Sequence, residues 1–269
     1  MDGTLAIVGT GRMGEALLRG LLAGGTLPPE RIVCTDAVPA RRAQLEADHG
    51  VRATADNRAA LAEADVVLLA LKPQILPRVL EEVGDAFRST QTVISVAAGI
   101  TTGLIERFLP ADTPVIRVMS NTPAMVDEGM SVLAAGSHAT EPDLALAESL
   151  LSAVGTTLRL PESQLDAVTA VSGSGPAYLF LLAEAMIEGG VHAGLTRHDA
   201  TTLVVQTLRG SATLLRDTGE HPSLLREAVT SPAGTTAAGL GELERSGFRG
   251  GVIAAIAAAT RRGEELARG

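Results

Sequence analysis

Gly9-Thr10-Gly11-Arg12-Met13-Gly14 is the stretch on which the fold turns. Leu5-Ala6-Ile7-Val8 before it is a short apolar run of strand character, and Glu15 to Leu22 after it carries the apolar face of a helix. The glycines therefore occupy a strand-to-helix turn, which gives the G-x-G-x-x-G spacing a mechanism. Gly9 permits the tight turn, Gly11 lets the backbone approach a pyrophosphate, and Gly14 lets the helix pack closely on the strand. The helix N-terminus supplies N–H donors and a positive dipole end. Arg12 and Met13 belong to the same dinucleotide-binding turn.

Outward from there, Arg31 to Asp36 reads as a second strand ending in an acid. Asp36 follows Gly14 by 22 residues, near the offset of roughly 20 residues at which a carboxylate takes the adenosine ribose hydroxyls. A loop-capping aspartate is the plainer alternative, and Arg41 and Arg42 just beyond offer a 2′-phosphate contact instead. NADH and NADPH both stay open. A helix over 40–49 leads to a short strand, Val51 to Thr54, and Asp56 caps a helix running through Ala64. Asp65 to Leu71, which includes Ala70, is a continuous apolar run, the mark of a strand buried on both faces of a parallel sheet; it stops at Lys72-Pro73. Two more strands end at Ala97-Ala98-Gly99 and at Ser120-Asn121-Thr122-Pro123. This βα alternation predicts an α/β, doubly wound, mostly parallel sheet whose ligand lies outside the C-terminal strand ends. Met130 to Ala134 and Thr156 to Leu160 read as further strands, with a helix over 141–154 between them.

From Glu162 the pattern becomes wholly helical, so the chain divides into 1–161 and 162–269. The first helix, Glu162 to Gly190, is kinked or broken at Ser172-Gly173-Ser174-Gly175-Pro176. Arg197 to Thr218 is the second, and a short helix to Val229, the loop Thr230 to Thr236 and two closing helices complete the half. Gly251 to Ala259 has no charged face, and a helix apolar all round must be covered on all sides, which implies a partner subunit. Tyr178 to Ile187, the most apolar stretch, is short and contains Glu184, so it reads as a buried helix and not a membrane span.

Composition excludes other classes. With 31 acidic and 22 basic residues, the net charge of −9 argues against a nucleic-acid or anionic-membrane surface. Cys34 is the only cysteine and lies in an apolar run, which rules out an internal disulfide or a multi-cysteine metal site and suits a reducing cytoplasm. Met1 to Thr4 leads into the first strand without a basic leader or cleavage motif. The five histidines are scattered, read as surface residues, and show no metal-ligand spacing, so no metal site is expected.

A second chemical signal lies in the helical half. Ser231-Pro232-Ala233-Gly234-Thr235-Thr236 places a proline, a glycine and three hydroxyls at a helix start, a nest of donors suited to a carboxylate; an ordinary N-cap is the plainer reading. With Ala238-Gly239-Leu240 and Leu243-Glu244 after it, this loop resembles the signature of the pyrroline-5-carboxylate reductases, enzymes of the last step of proline biosynthesis. Other pieces agree in order: the glycine turn, Asp56-Asn57, Ala70-Leu71-Lys72-Pro73-Gln74, Ala97-Ala98-Gly99-Ile100, Asn121-Thr122-Pro123-Ala124, Asp166-Ala167-Val168-Thr169 and Ser172 to Tyr178. The resemblance spans essentially the whole chain. It implies a Rossmann domain for NADPH or NADH, and an all-α dimerisation domain interleaved between two subunits, with dimers often forming larger rings. It also implies that Asn57, Lys72-Pro73 and Ala97-Ala98-Gly99 line the dinucleotide, and that Glu162, Ser231, Gly234, Thr235 and Thr236 surround the substrate, a cyclic imino acid. Lys72 is tempting as an acid, but its strand-end position and the resemblance favour a cofactor-lining role.

Reducing a cyclic imine needs an oriented hydride donor and a protonated nitrogen. No histidine or cysteine acid presents itself, so Thr236 with a water is the candidate proton path. Two departures from the family pattern stand out. Ser120 replaces a usual proline, relaxing the backbone there, and Ala233 replaces a usual glycine, costly if the position needs a positive φ. The alternatives are a related imine reductase, a β-hydroxyacid dehydrogenase, for which the expected helix lysine is missing, or a non-catalytic dinucleotide-binding protein.

Overall fold

A strand without polar breaks puts alternate side chains on opposite faces and needs apolar cover on both. The computed structural model, which describes residues 3–268, meets that need with a single sheet between two helical layers. Met1 and Asp2, read above as the lead-in to the first strand, lie outside the described residues. The strands are β1 (Leu5–Val8), β2 (Ile32–Thr35), β3 (Arg52–Thr54), β4 (Val66–Leu69), β5 (Thr92–Ser95), β6 (Val115–Ser120), β7 (Gly129–Ala135) and β8 (Gly155–Arg159). The helices are α1 (Arg12–Ala23), α2 (Pro39–His49), α3 (Asn57–Glu63), α4 (Leu76–Val83), α5 (Thr102–Glu106), α6 (Glu141–Leu151), α7 (Leu165–Val168), α8 (Gly175–His192), α9 (Arg197–Thr218), α10 (Pro222–Ala228), α11 (Thr235–Arg245) and α12 (Phe248–Arg268).

The sheet order is β3-β2-β1-β4-β5-β6-β7-β8. All pairs from β3 through β6 are parallel, β7 runs antiparallel to β6, and β8 is parallel to β7. This is the doubly wound, mostly parallel sheet that the alternation predicts. Leu5 and Ile7 of β1 enter one core cluster with α1, while Ala6 and Val8 enter the other with α3 and α4. In β4, Val66 and Leu68 divide from Val67 and Leu69 in the same way. Cys34 is fully buried on the α1 side, and burial pushes its thiol up to about 12, so it is a packing residue and no nucleophile.

By packing, the chain forms two compact units. One comprises the chain up to Ser174 together with the stretch from Ala259 onward, and the other is Gly175–Ala258. Residues 162–174 thus pack with the sheet, later than the 161/162 change in sequence pattern. The cause is local: Leu165 is fully buried against Val132 and Ala134, and Glu162 is hydrogen-bonded to the sheet unit.

The second unit has almost no interior of its own. Ala200 and Val204 are its only buried residues. The stretch Tyr178 to Ile187, read above as a buried helix, contributes none: Phe180 is 69% and Leu181 67% exposed. Ile253 in α12 is 64% exposed. The periodicity was right about a helix; the cover it requires is not in this chain. The stretch 162–192 is also long and apolar enough to cross a membrane, by length and composition alone. Five helices with so little burial cannot offset the entropy of ordering them, so apolar cover must come from outside the chain. Light scattering at micromolar concentration should return at least twice the chain mass of 27.6 kDa. A monomer of that mass, unfolding cooperatively, would contradict this account of the helical unit.

Candidate functional site

The turn between β1 and α1 is held in shape before any ligand arrives. Gly9 has φ +88, a region in which L side chains are strained, and its N–H donates to Thr35 O at 3.1 Å. Thr10, fully buried, donates its hydroxyl to the same carbonyl at 3.1 Å. Arg41 of α2 clamps the turn from outside: Nε and Nη2 each donate to Thr10 O at 3.0 Å, and Nη2 pairs with Glu15 Oε2 at 2.7 Å. The Arg41 guanidinium holds the Glu15 carboxyl below its ordinary range, helped by His49, whose Nε2 lies 3.4 Å from Glu15 Oε1. His49 is therefore not the plain surface residue that its position suggests; its side chain is only 16% exposed.

Each glycine of the turn has a distinct geometric duty. A Cβ at Gly14 would strike Gly9 O and lie 3.3 Å from the Ala70 side chain, so this glycine sets the close approach of α1. A Cβ at Gly11 would meet nothing within 4 Å. Gly11 is also the N-cap of α1, so a bare stretch of backbone faces open space at a helix N-terminus.

That open space is a cavity of about 420 Å³ at the C-terminal ends of β1, β2 and β4. It lies where strand order departs in opposite directions from β1, the position at which doubly wound sheets bind their ligands. Gly9, Gly11, Asp36, Asn57, Ala70, Leu71 and Lys72 all line it, residues drawn from four separate segments of the chain. Asn57 is placed by the Asp56 cap, whose Oδ1 accepts from Ala59 N at 3.1 Å. A bare turn, a helix N-terminus and an acid at the end of β2 are the donor and acceptor set that a dinucleotide's pyrophosphate and ribose require, so the residues present fit such a group.

Other expected residues sit around this crevice without lining it. Arg12 is exposed, Met13 packs against the α1-side core, and Pro73 lies in the turn after Lys72. Beyond β5 and Val96, Ala97 is buried in the core, Ala98 is exposed, and Gly99 takes φ +75 with nothing within 4 Å of its would-be Cβ. Arg42 turns back to the chain, donating to Asp36 O at 2.8 Å and Ala37 O at 3.1 Å. Thr10 and Glu15 are contributors that the sequence does not reveal; Thr10 occupies a position the motif leaves free.

Glu162 lies elsewhere, at the start of the helical segment. Its Oε1 accepts from Thr102 N at 2.8 Å and from Arg117 Nη1 at 3.1 Å, and its Oε2 accepts from Thr102 Oγ1 at 2.7 Å. Arg117 is 4% exposed, so this is a buried charge with its partner. Ser120 does not loosen its strand: β6 pairs with β7 through Ser120 and Ser131, and Ser131 Oγ donates to Ser120 Oγ at 3.1 Å.

In the second unit, Ser231, Gly234, Thr235 and Thr236 form the approach to α11, with Gly234 as N-cap in extended conformation. Gly234 N donates to Ser231 O at 3.1 Å, closing a four-residue turn with Pro232 and Ala233 at its centre. Proline first and a positive φ second is the type II pattern, and Ala233 has φ +56. Alanine in the left-handed region costs roughly 1–2 kcal/mol. Ala233→Gly should therefore stabilise the protein by about 1 kcal/mol and raise its melting temperature by a few degrees; an unchanged or lower value in scanning calorimetry would show that the turn carries no strain.

Three comparisons bear on this geometry. Residues 162–266 match a family model described as pyrroline-5-carboxylate reductase dimerisation, and residues 4–99 match one described as NADP oxidoreductase coenzyme F420-dependent. The chain is 46% identical to a pyrroline-5-carboxylate reductase of Synechocystis sp., over 98% of each chain. Its structure is similar to that of a pyrroline-5-carboxylate reductase from Coxiella burnetii, with a TM-score of 0.93 at 37% identity and 99% of each chain covered. It is also similar to a Plasmodium falciparum pyrroline carboxylate reductase with NADP bound, with a TM-score of 0.88 at 27% identity, covering 99% of this chain and 98% of the other.

Proposed function

This chain belongs to the pyrroline-5-carboxylate reductase family, and from that premise we propose that it reduces 1-pyrroline-5-carboxylate to L-proline with NADH or NADPH, the last step of proline biosynthesis. The observation that carries the reading is the crevice at the strand-order reversal, with its open Gly11 backbone, in a chain akin over its full length to reductases of that name.

A reduced nicotinamide, when bound, supplies a hydride. The turn from Gly9 to Gly14, flanked by Arg12 and Met13, would hold the pyrophosphate through its backbone, and Asp36 would take the adenosine ribose. Asn57 and Ala70 to Lys72 would line the remainder, with Pro73 and Ala97 to Gly99 beside it. The substrate carboxylate rests on the N–H groups that open α11 and on the Ser231 and Thr235 hydroxyls, while Gly234 keeps the approach clear, since a Cβ there would strike Ser231 Oγ. This seating fixes which ring face meets the hydride donor, and such positioning supplies several kcal/mol within a ceiling of roughly 7–11 kcal/mol. As the C=N carbon gains hydride, the nitrogen takes the electron pair of the double bond and one proton. Thr236 contacts that nitrogen and passes the proton from water, which makes it the catalytic residue. Glu162 acts by anchoring the segment that follows it, because its two oxygens already accept three donors.

The functional division follows the sequence pattern, 1–161 for the dinucleotide and 162–269 for substrate and self-association, in keeping with the matched residues 162–266. A second copy covers the apolar faces of α8, α9 and α12, and dimers assemble into a larger ring. The exposed apolar residues of α8 lie in that interface and not in lipid. The lone, buried Cys34 suits a cytoplasmic enzyme.

NADH is the better donor in this reading. Asp36 would repel a 2′-phosphate, and the arginines that could neutralise one are engaged, Arg41 with Thr10 O and Glu15, Arg42 with two carbonyls. Cofactor oxidation with pyrroline-5-carboxylate should proceed at least about tenfold more efficiently with NADH, and Asp36→Ser should narrow the gap by about 1 kcal/mol. Parallel assays with piperideine carboxylate and β-hydroxy acids separate the related activities; no turnover of any imine at saturating cofactor sinks the reductase reading. Thr236→Ala should lower kcat by about 100-fold while leaving cofactor affinity intact, and equal loss of both would show that the residue is misplaced.

A further inference from the structure

Pro176 lies in the second position of α8 and carries no N–H. In a continuous helix the donor to Ser172 O would come from residue 176, so the sequence orphans that carbonyl. The helix is irregular just before the proline, and the carbonyl is met from outside it. The segment Thr169–Gly173 widens into a π turn, with Ser174 N donating to Thr169 O at 2.8 Å. Asn121, directly after β6, then donates from Nδ2 to Ser172 O at 3.0 Å. The same side chain accepts at Oδ1 from Met130 N of β7 at 2.9 Å. One amide therefore joins the end of β6, the start of β7 and the bulged helix, using a donor on one side and an acceptor on the other. The fit is close, since a Cβ on Gly173 would run into Met119 Cε of β6. The clamp lies at the C-terminal end of β6, the ligand side of the sheet, and the chain leaves the sheet unit two residues after Ser172.

We infer that Asn121 is a positioning residue for the imine reduction: by supplying the hydrogen bond that Pro176 withholds, it fixes the bulged segment Ser172–Ser174 against the ligand end of β6. The inference rests on the reductase reading above. Its content goes beyond satisfaction of a stray carbonyl, because a local N–H would do that equally well without tying the helix to the strand.

The test separates those two roles. Asn121→Ala is made alone and together with Pro176→Ala, which returns an N–H to residue 176, and kcat, both KM values and melting temperature are measured. Asn121→Ala should lose about 10- to 100-fold in kcat/KM for pyrroline-5-carboxylate, the scale of small misplacements remote from the chemistry, with the cofactor KM changed by less than about twofold. The double variant should regain melting temperature but stay slow. Activity of Asn121→Ala equal to the parent, or full recovery of turnover in the double variant, overturns the inference and leaves the bond a local one. Asn121→Asp, which keeps the acceptor for Met130 N and removes the donor, should be as slow as Asn121→Ala. If none of the three variants folds, Asn121 serves only the fold and the inference fails. A parent enzyme that turns over no imine would instead refute the reductase reading.

Discussion

The parallel pairing of β1 with β2 on one side and β4 on the other is the constraint from which the rest follows. Parallel neighbours require crossover helices, and crossovers that depart in opposite directions from a central strand leave a gap between them at its C-terminal end. The gap is a by-product of the winding; the glycine turn, Asp36, Asn57 and Lys72 make it chemically specific. Because β1 is buried on both faces, its register is fixed, and the turn that follows is anchored to a rigid element. Arg41 adds a clamp at Thr10 O, so the backbone of the glycine turn has little freedom left to lose when a ligand binds.

What the sequence makes legible are features whose causes are local. The glycine roles follow from spacing because the constraint is backbone geometry within six residues; the φ of Gly9, the contact at Gly14 and the open side of Gly11 all agree with it. The strand alternation and the Asp56 cap are local in the same sense. The kink at Ser172 to Pro176 was visible from proline chemistry alone, but its resolution was not, since the replacement donor comes from Asn121, 51 residues away. The same limit hides the Glu162 partners Thr102 and Arg117, which explain why 162–174 packs with the sheet. The exposure of α8 was illegible for another reason: periodicity states that a face needs cover, and not which chain supplies it.

The two departures from the family pattern illustrate different outcomes of substitution. Ser120 accepts from the Ser131 hydroxyl across the strand pair, so this position is tied by a cross-strand bond. Ala233 gains nothing and sits in a left-handed conformation that favours glycine. The first is tied within reach of its own side chain. The second is a backbone cost that no side-chain contact can remove.

The near-absence of an interior in residues 175–258 also has a kinetic side. The sheet unit can collapse as soon as its own strands are available, because both of its core clusters are drawn from one chain. The helices beyond Ser174 gain their burial only on encounter with further polypeptide, so their ordering is bimolecular and its rate scales with the amount of protein made. Newly synthesised chains in a dilute cell would pause with one half settled and the other awaiting a mate. During that interval the helices hold their apolar faces in water, where proteases and chaperones compete with assembly.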